Sequence, residues 1–173
     1  LLETPIEEQE SELVPMFEEM LEKTGEDEMI SVAMVRVAEM LLGLETEGAI
    51  RCLGKGIGHP NEDVRMLSGD AFLHVALTGI DRVMPVIDDA LEKGGLVAEE
   101  IPFLLMDADL PEATHVLIRF LNQKDPEIVA SAIEALAELG DPEAIPALNN
   151  LSKDERTVTA EAEGAEQAKW TIG

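Results

Sequence analysis

Cysteine occurs once in the 173-residue chain and tyrosine never, and aromatic side chains make up only 3% of it. The lone thiol, Cys52, can close no intramolecular disulfide, so oxidative export gains no support and a reducing cytoplasm is the expected setting. Cations are also scarce: 12 Lys and Arg stand against 37 Asp and Glu, a net charge of −25. Such a surface repels phosphates and anionic headgroups, which excludes nucleic acid and membrane as partners. No apolar run approaches the roughly 20 residues that cross a bilayer. The longest apolar stretch, Met29 to Leu42, is interrupted by Ser31, Arg36 and Glu39 and reads as a helix sandwiched in a core. No basic segment followed by an apolar core opens the chain, and a start at Leu1 instead of Met reads as a trimmed or processed end. Alternating β-branched and aromatic residues are missing throughout, so the expected fold is all-α.

What the chain does have is a phrase repeated about every thirty residues. Setting Ile145 under Thr114, Met84 and Ile50 brings Ala144, Ala113, Val83 and Ala49 into register one position earlier. Leu148, Leu117, Ile87 and Leu53 then align three positions later. One such unit cannot bury its own apolar face, so neighbouring units must stack, which predicts an α-solenoid of antiparallel helix pairs, about four repeats with capping helices. The whole chain, 1–173, is expected to form one such domain. Residues 1–25 would be an N-terminal capping helix, 26–151 the repeats, and 152–173 a C-terminal cap or a truncated repeat.

Helix signals place the elements. Leu13, Phe17, Met20 and Leu21 make one apolar stripe among glutamates, with Gly25 as the stop. The outer helix of each pair carries Met34, Val37, Ala38 and Leu41 in the first unit, Leu67, Ala71, Phe72 and Val75 in the second, and Val129, Ala132, Ile133 and Leu136 in the last. Inner helices follow tight turns, most clearly at Asp141-Pro142, a capping acid with proline at the first helical position. Asp125-Pro126 repeats the device for the outer helix before it. In the third unit Gly94-Gly95 and Pro102 leave room for only a short outer helix around Glu99 to Leu105, with a bend there. Beyond Asp154 the pattern frays, leaving Val158, Ala162, Ala165 and Trp170 as packing candidates.

The run from Asp125 to Val129, followed by Ala135 through Leu148, is similar to the HEAT-like repeats first associated with phycobilisome lyase subunits. The likeness is specific over about 25 residues there and extends more loosely from Met29 to Leu151. It implies a curved stack used as a binding surface, with partners on the face lined by the inner helices. The family's Val-Arg near the start of the outer helix is kept at Val64-Arg65, with Asp81 as the expected partner. The last repeat has Val129-Ala130 instead, which breaks any continuous Asp/Arg ladder.

Few residues carry chemistry. His59, His74, His115 and Cys52 fall in four different settings, and none has the spacing of a zinc site, so no metal, cofactor or catalytic residue is expected. His59 reads as a turn residue and His74 as a histidine within an outer helix. Cys52 fills the slot of Val86, Val116 and Ala147 and reads as a packing residue, the rival being a thiol that carries a chromophore. Asp88-Asp89 and Glu99-Glu100 point to different sides of their helices and read as solvated surface. Gly54, Gly56 and Gly58 spell G-K-G-I-G without the strand and G-K-[ST] ending of a phosphate loop, and are expected to end the first inner helix loosely.

The best candidate surface lies on the inner helices. Glu112, His115 and Arg119 share one face, and Arg51 with Lys55, Pro85 with Asp89, and Pro146 with Asn150 stand in register with them. The three cations could form a basic strip that receives an acidic peptide or carboxylate. The leading expectation is a non-enzymatic, monomeric protein-protein interaction scaffold that binds a protein or peptide on this surface. The alternative, drawn from the resemblance, is a bilin or tetrapyrrole lyase-type subunit, which would need basic groups and aromatic walls that this chain has in short supply. A DNA-repair glycosylase of similar fold would need a basic groove, and a module of a larger protein fits the chain's ends. The acidity itself serves solubility, a basic partner or a high-salt habitat.

Like-charge repulsion opposes compaction, so the melting temperature is expected to rise between low salt and about 0.5 M NaCl. A flat response in thermal denaturation would mean that the acids are already paired or well separated.

Overall fold

The computed structural model describes residues 4–108, 110–160 and 168–173. Its helices are α1 (Ile6–Lys23), α2 (Val32–Leu44), α3 (Glu47–Gly54), α4 (Glu62–Thr78), α5 (Met84–Lys93), α6 (Leu96–Ala108), α7 (Ala113–Phe120), α8 (Pro126–Leu139) and α9 (Ile145–Asn150). Two short strands follow, β1 (Thr157–Ala160) and β2 (Ala168–Thr171). The chain divides into two compact units, Leu1–Ala90 and Leu91–Gly173. It is an all-α repeat fold of paired helices with one small hairpin added.

In the first unit α1 packs on α2 and α3, and both of these meet α4. Their shared core holds Leu13 and Phe17 from α1, Met34, Val37, Ala38 and Leu41 from α2, Ala49, Cys52 and Leu53 from α3, and Val64 and Ala71 from α4. The expected register holds at its small position: Ala49, Val83, Ala113 and Ala144 are all essentially inaccessible. Leu53, Ile87 and Leu117 are buried as aligned, but in the last unit Ile145 is 55% exposed and Leu148 half-buried. In the second unit α6, α7 and α8 pack on one another and β1 lies against α8. Leu136 is buried there as expected, with Ile128, Val129, Ala132 and Ala135 of the same helix.

Caps explain the helix boundaries. The Ser31 hydroxyl accepts from the Met34 amide, so α2 starts at Val32 and Met29, expected inside the helix, stands 90% exposed. Asp125 and Asp141 each accept from the amide two residues on, at 3.1 and 2.9 Å, as their Asp-Pro pairs predict. Pro142–Ala144 first makes a 3-10 turn, and α9 continues from it. Gly140, with φ of 64°, ends α8 in the left-handed conformation.

Three expectations need correction. The outer helix of the third unit is not short, since α6 runs 13 residues from just after Gly95 and contains Pro102. Burial of Ala98, Ile101, Pro102 and Leu105, with the packing of α6 on α8, outweighs the amide that proline lacks. The described C-terminal residues add two strands that an all-α expectation left out: β1 and β2 pair antiparallel, Thr157 opposite Thr171 and Val158 opposite Trp170, and Val158 is buried. Four-residue strands are too short to leave a legible alternation in sequence. Ala162, Ala165 and the Trp170 side chain lie outside the described residues. Finally, Arg65 does not meet Asp81; its guanidinium donates to the carbonyls of His59 and Pro60, both at 2.7 Å.

One polar side chain ties the first unit together. Asn61 is 2% exposed, and its Oδ1 accepts from the Val64 amide as the cap of α4. Its Nδ2 faces the carbonyls of Gly25, Glu26 and Glu28 at 2.8, 3.0 and 2.7 Å, which fixes the turn between α1 and α2. His59 completes the junction, with Nε2 2.9 Å from the Leu21 carbonyl and Nδ1 accepting from the Asn61 amide. That pair of bonds selects the Nε2-protonated tautomer. Asn61→Asp is expected to destabilise the chain by about 2 kcal/mol or more, because a carboxylate would then face three carbonyl oxygens in a buried site. Chemical denaturation of both proteins checks this, and an unchanged midpoint would refute the junction's role.

Candidate functional site

The residues expected to line one stripe fall in two compact units, and each group has its own setting. In the first unit Arg51 of α3 reaches across to α5. Its Nη1 lies 2.9 Å from the Pro85 carbonyl and 2.5 Å from Asp89, while Nε donates to Glu47 at 2.9 Å. The fork is thus committed within the chain, and hydrogen bonds from Asp89 and then Glu47 hold the guanidinium above its usual range. Lys55 pairs with Glu18 of α1, which raises the ammonium in the same way. Sequence alone treats Arg51 and Lys55 as exposed cations because it cannot say which acids the fold brings beside them.

In the second unit Glu112, just before α7, and His115 and Arg119 on it stand exposed, and Pro146 and Asn150 stand exposed on α9. His115 Nε2 lies 3.5 Å from the Glu143 carboxylate, so α7 meets the 3-10 turn that leads into α9. Beneath it, the buried Thr114 side chain hydrogen-bonds the Asp141 carboxylate, which explains a hydroxyl at a position occupied by Ile50 and Ile145 elsewhere. The amide of Glu143, and then Thr114, holds Asp141 below the usual carboxylate range.

The other singled-out groups have structural settings. Cys52 is 2% exposed, its thiol directed at the Val14 carbonyl at 3.8 Å, and burial pushes it up to about 11. A neutral, enclosed thiol is a poor nucleophile. Glu99 is raised above the usual range by burial, then by Asp125, Glu127 and Glu100 nearby. Among the described residues no group of three or more His, Cys, Asp or Glu side chains is placed to hold a metal ion, and no helix is long and apolar enough to cross a membrane.

The G-K-G-I-G string has a different reason from the one expected. A Cβ on Gly54 would sit 2.5 Å from Val86 Cγ1, and one on Gly56 would sit 2.1 Å from Ser68 Oγ. These glycines let α3 and the following 3-10 turn approach α5 and α4 closely, so the segment is a tight packing joint and not a loose end. Ser68 Oγ is buried there without a hydrogen-bond partner.

Sequence reasoning missed a surface on the outer helices. Between α2 and α4 lies an open groove of about 250 Å³, lined by Ala38, Glu39, Leu42, Leu67, Asp70, Ala71 and His74. The i, i+4 and i, i+3 spacing of these residues was visible, but their partly apolar floor was absorbed into the core stripe.

A family model of HEAT repeats matches residues 97–165, the span from α6 into the C-terminal hairpin segment. No curated protein matches the chain significantly. The match supports HEAT-like repeats and does not distinguish the phycobilisome-lyase type.

Cys52 is expected to react with a thiol reagent about a hundredfold more slowly in the native chain than in the unfolded one, the thiolate being depleted by roughly two pH units and enclosed as well. The rates of reaction with a chromogenic disulfide near pH 8, with and without denaturant, check this; equal rates would place the thiol at the surface.

Proposed function

We propose that these HEAT-like repeats form a non-catalytic scaffold which binds a protein or peptide along its inner helices. The observation that carries this reading is the exposed polar edge of α7 and α9, Glu112, His115, Arg119, Pro146 and Asn150, lying within the residues that match HEAT repeats. Repeats of this kind generally serve protein interaction. The edge mixes both charge signs with an amide, which suits hydrogen-bonded recognition of a peptide better than capture of a single ion. Pro85 and Asp89 hold the corresponding register positions in the first unit. Arg51 acts there by holding Asp89 and the Pro85 carbonyl in place, so its part in binding is to position.

The buried state of Cys52 weighs against the chromophore-carrying alternative, since attachment through that thiol would require the core to open. The scarcity of aromatics points the same way.

The test is an affinity capture from source extract with the parent chain and two variants, read by mass spectrometry. His115→Ala/Arg119→Ala/Asn150→Ala removes the inner edge, while Glu134→Ala/Glu138→Ala removes exposed acids of α8 as a control. A protein recovered by the parent and the control but lost by the inner-edge variant is the expected result. Equal recovery by all three would move the binding surface off α7 and α9.

A further inference from the structure

We infer that the groove between α2 and α4 is a second docking surface, which takes a basic amphipathic segment of a partner protein by seating an aliphatic side chain between flanking lysines or arginines. The reading is independent of the inner-helix surface, because the groove lies on the outer helices of the first unit. Its floor is apolar, formed by Ala38 and Leu42 of α2 and by Leu67 and Ala71 of α4. At about 250 Å³ the groove is smaller than the roughly 300–1,000 Å³ of a drug-sized ligand site, and fits one or two aliphatic side chains.

The rim selects charge. Glu39 stands on one side and Asp70 on the other, with His74 one turn further along α4. Asp63 precedes Leu67 by four residues on the same helix and extends the acidic edge. Arg36 lies 3.6 Å from Glu39, and both side chains are mostly exposed, so the pair is weak and open to exchange. Over residues 1–90 twenty acids face six Lys and Arg, a net of −14, so the field around the groove favours a cationic partner from a distance as well. Met66 and Leu77, 56% and 63% exposed, share the Asp70 side of α4 at i−4 and i+7 and give an aliphatic segment contacts beyond the groove itself. An apolar floor with acidic edges is the complement of an amphipathic helix whose leucine or methionine seam is bordered by lysine or arginine.

The experiment uses the full chain and a fluorescent helical peptide carrying a leucine seam flanked by lysines, with a second peptide in which the seam leucines are serines. The expected result is binding that weakens with salt, and that falls about tenfold or more both for the serine peptide and for Glu39→Lys/Asp70→Lys. The pair Glu12→Lys/Glu22→Lys on α1 makes the same change of charge away from the groove and is expected to have a smaller effect. Circular dichroism confirms that each variant is folded. Methyl and amide NMR shifts of the parent are expected to centre on Leu42, Leu67 and Ala71. Three outcomes overturn the inference: no binding of the leucine peptide, equal weakening by the two charge reversals, or shifts centred on His115 and Asn150. The last would leave the inner-helix reading intact while removing this one.

Discussion

A short helix that is apolar along one side is not stable alone, and in this chain each inner helix depends on how closely its neighbours can come. The depth of approach is set at one position per unit, held by Ala49, Val83, Ala113 and Ala144, each almost wholly inaccessible. The leucine or isoleucine four residues further on is buried as well in the first three repeats, as Leu53, Ile87 and Leu117. In the last repeat Ala144 is enclosed, Ile145 is exposed and Leu148 is half-buried.

Apolar packing leaves the turns to be fixed by polar groups, and each unit has side chains that do this. Asn61 and His59 gather the carbonyls at the end of α1 and in the turn after it. Arg156 has the same part in the second unit: it pairs with Asp154 and donates to the carbonyls of Gln123 and Lys124, anchoring the hairpin stem to the turn before α8. In a chain with so few cations, Arg51, Arg65 and Arg156 all spend donors on backbone carbonyls. The guanidinium fork satisfies an unpaired carbonyl and a carboxylate together, which a lysine does less well.

Much of this was legible. The thirty-residue register aligned Ala49, Val83, Ala113 and Ala144, which are all buried, and the Asp-Pro pairs named two caps, because both depend on local sequence. Leu136 and the α2 stripe followed from helical periodicity alone. The rest was hidden for particular reasons. Asn61 looks like an ordinary turn residue, and its three carbonyl partners sit more than thirty positions away. Gly54 and Gly56 look flexible until Val86 and Ser68 are placed against them. The candidate residues divided along the same line: the exposure of Glu112, His115 and Arg119 follows local helical spacing, whereas the partners of Arg51 and Lys55 required the fold. The outer groove was missed because its floor residues serve the core as well.

The close approaches at Gly54 and Gly56 also bear on how such a sequence can drift. Neither position tolerates a methyl group unless the residue opposite gives way, so 54 with 86, and 56 with 68, are free to change only as pairs. Ser68, whose hydroxyl is enclosed without a partner, is the member of its pair with least to lose, and alanine or glycine there would remove the closest contact, Oγ at 2.1 Å, leaving Val64 Cγ1 at 3.2 Å to give slightly. Among descendants of this chain the two positions would therefore covary, with the change at 68 coming first.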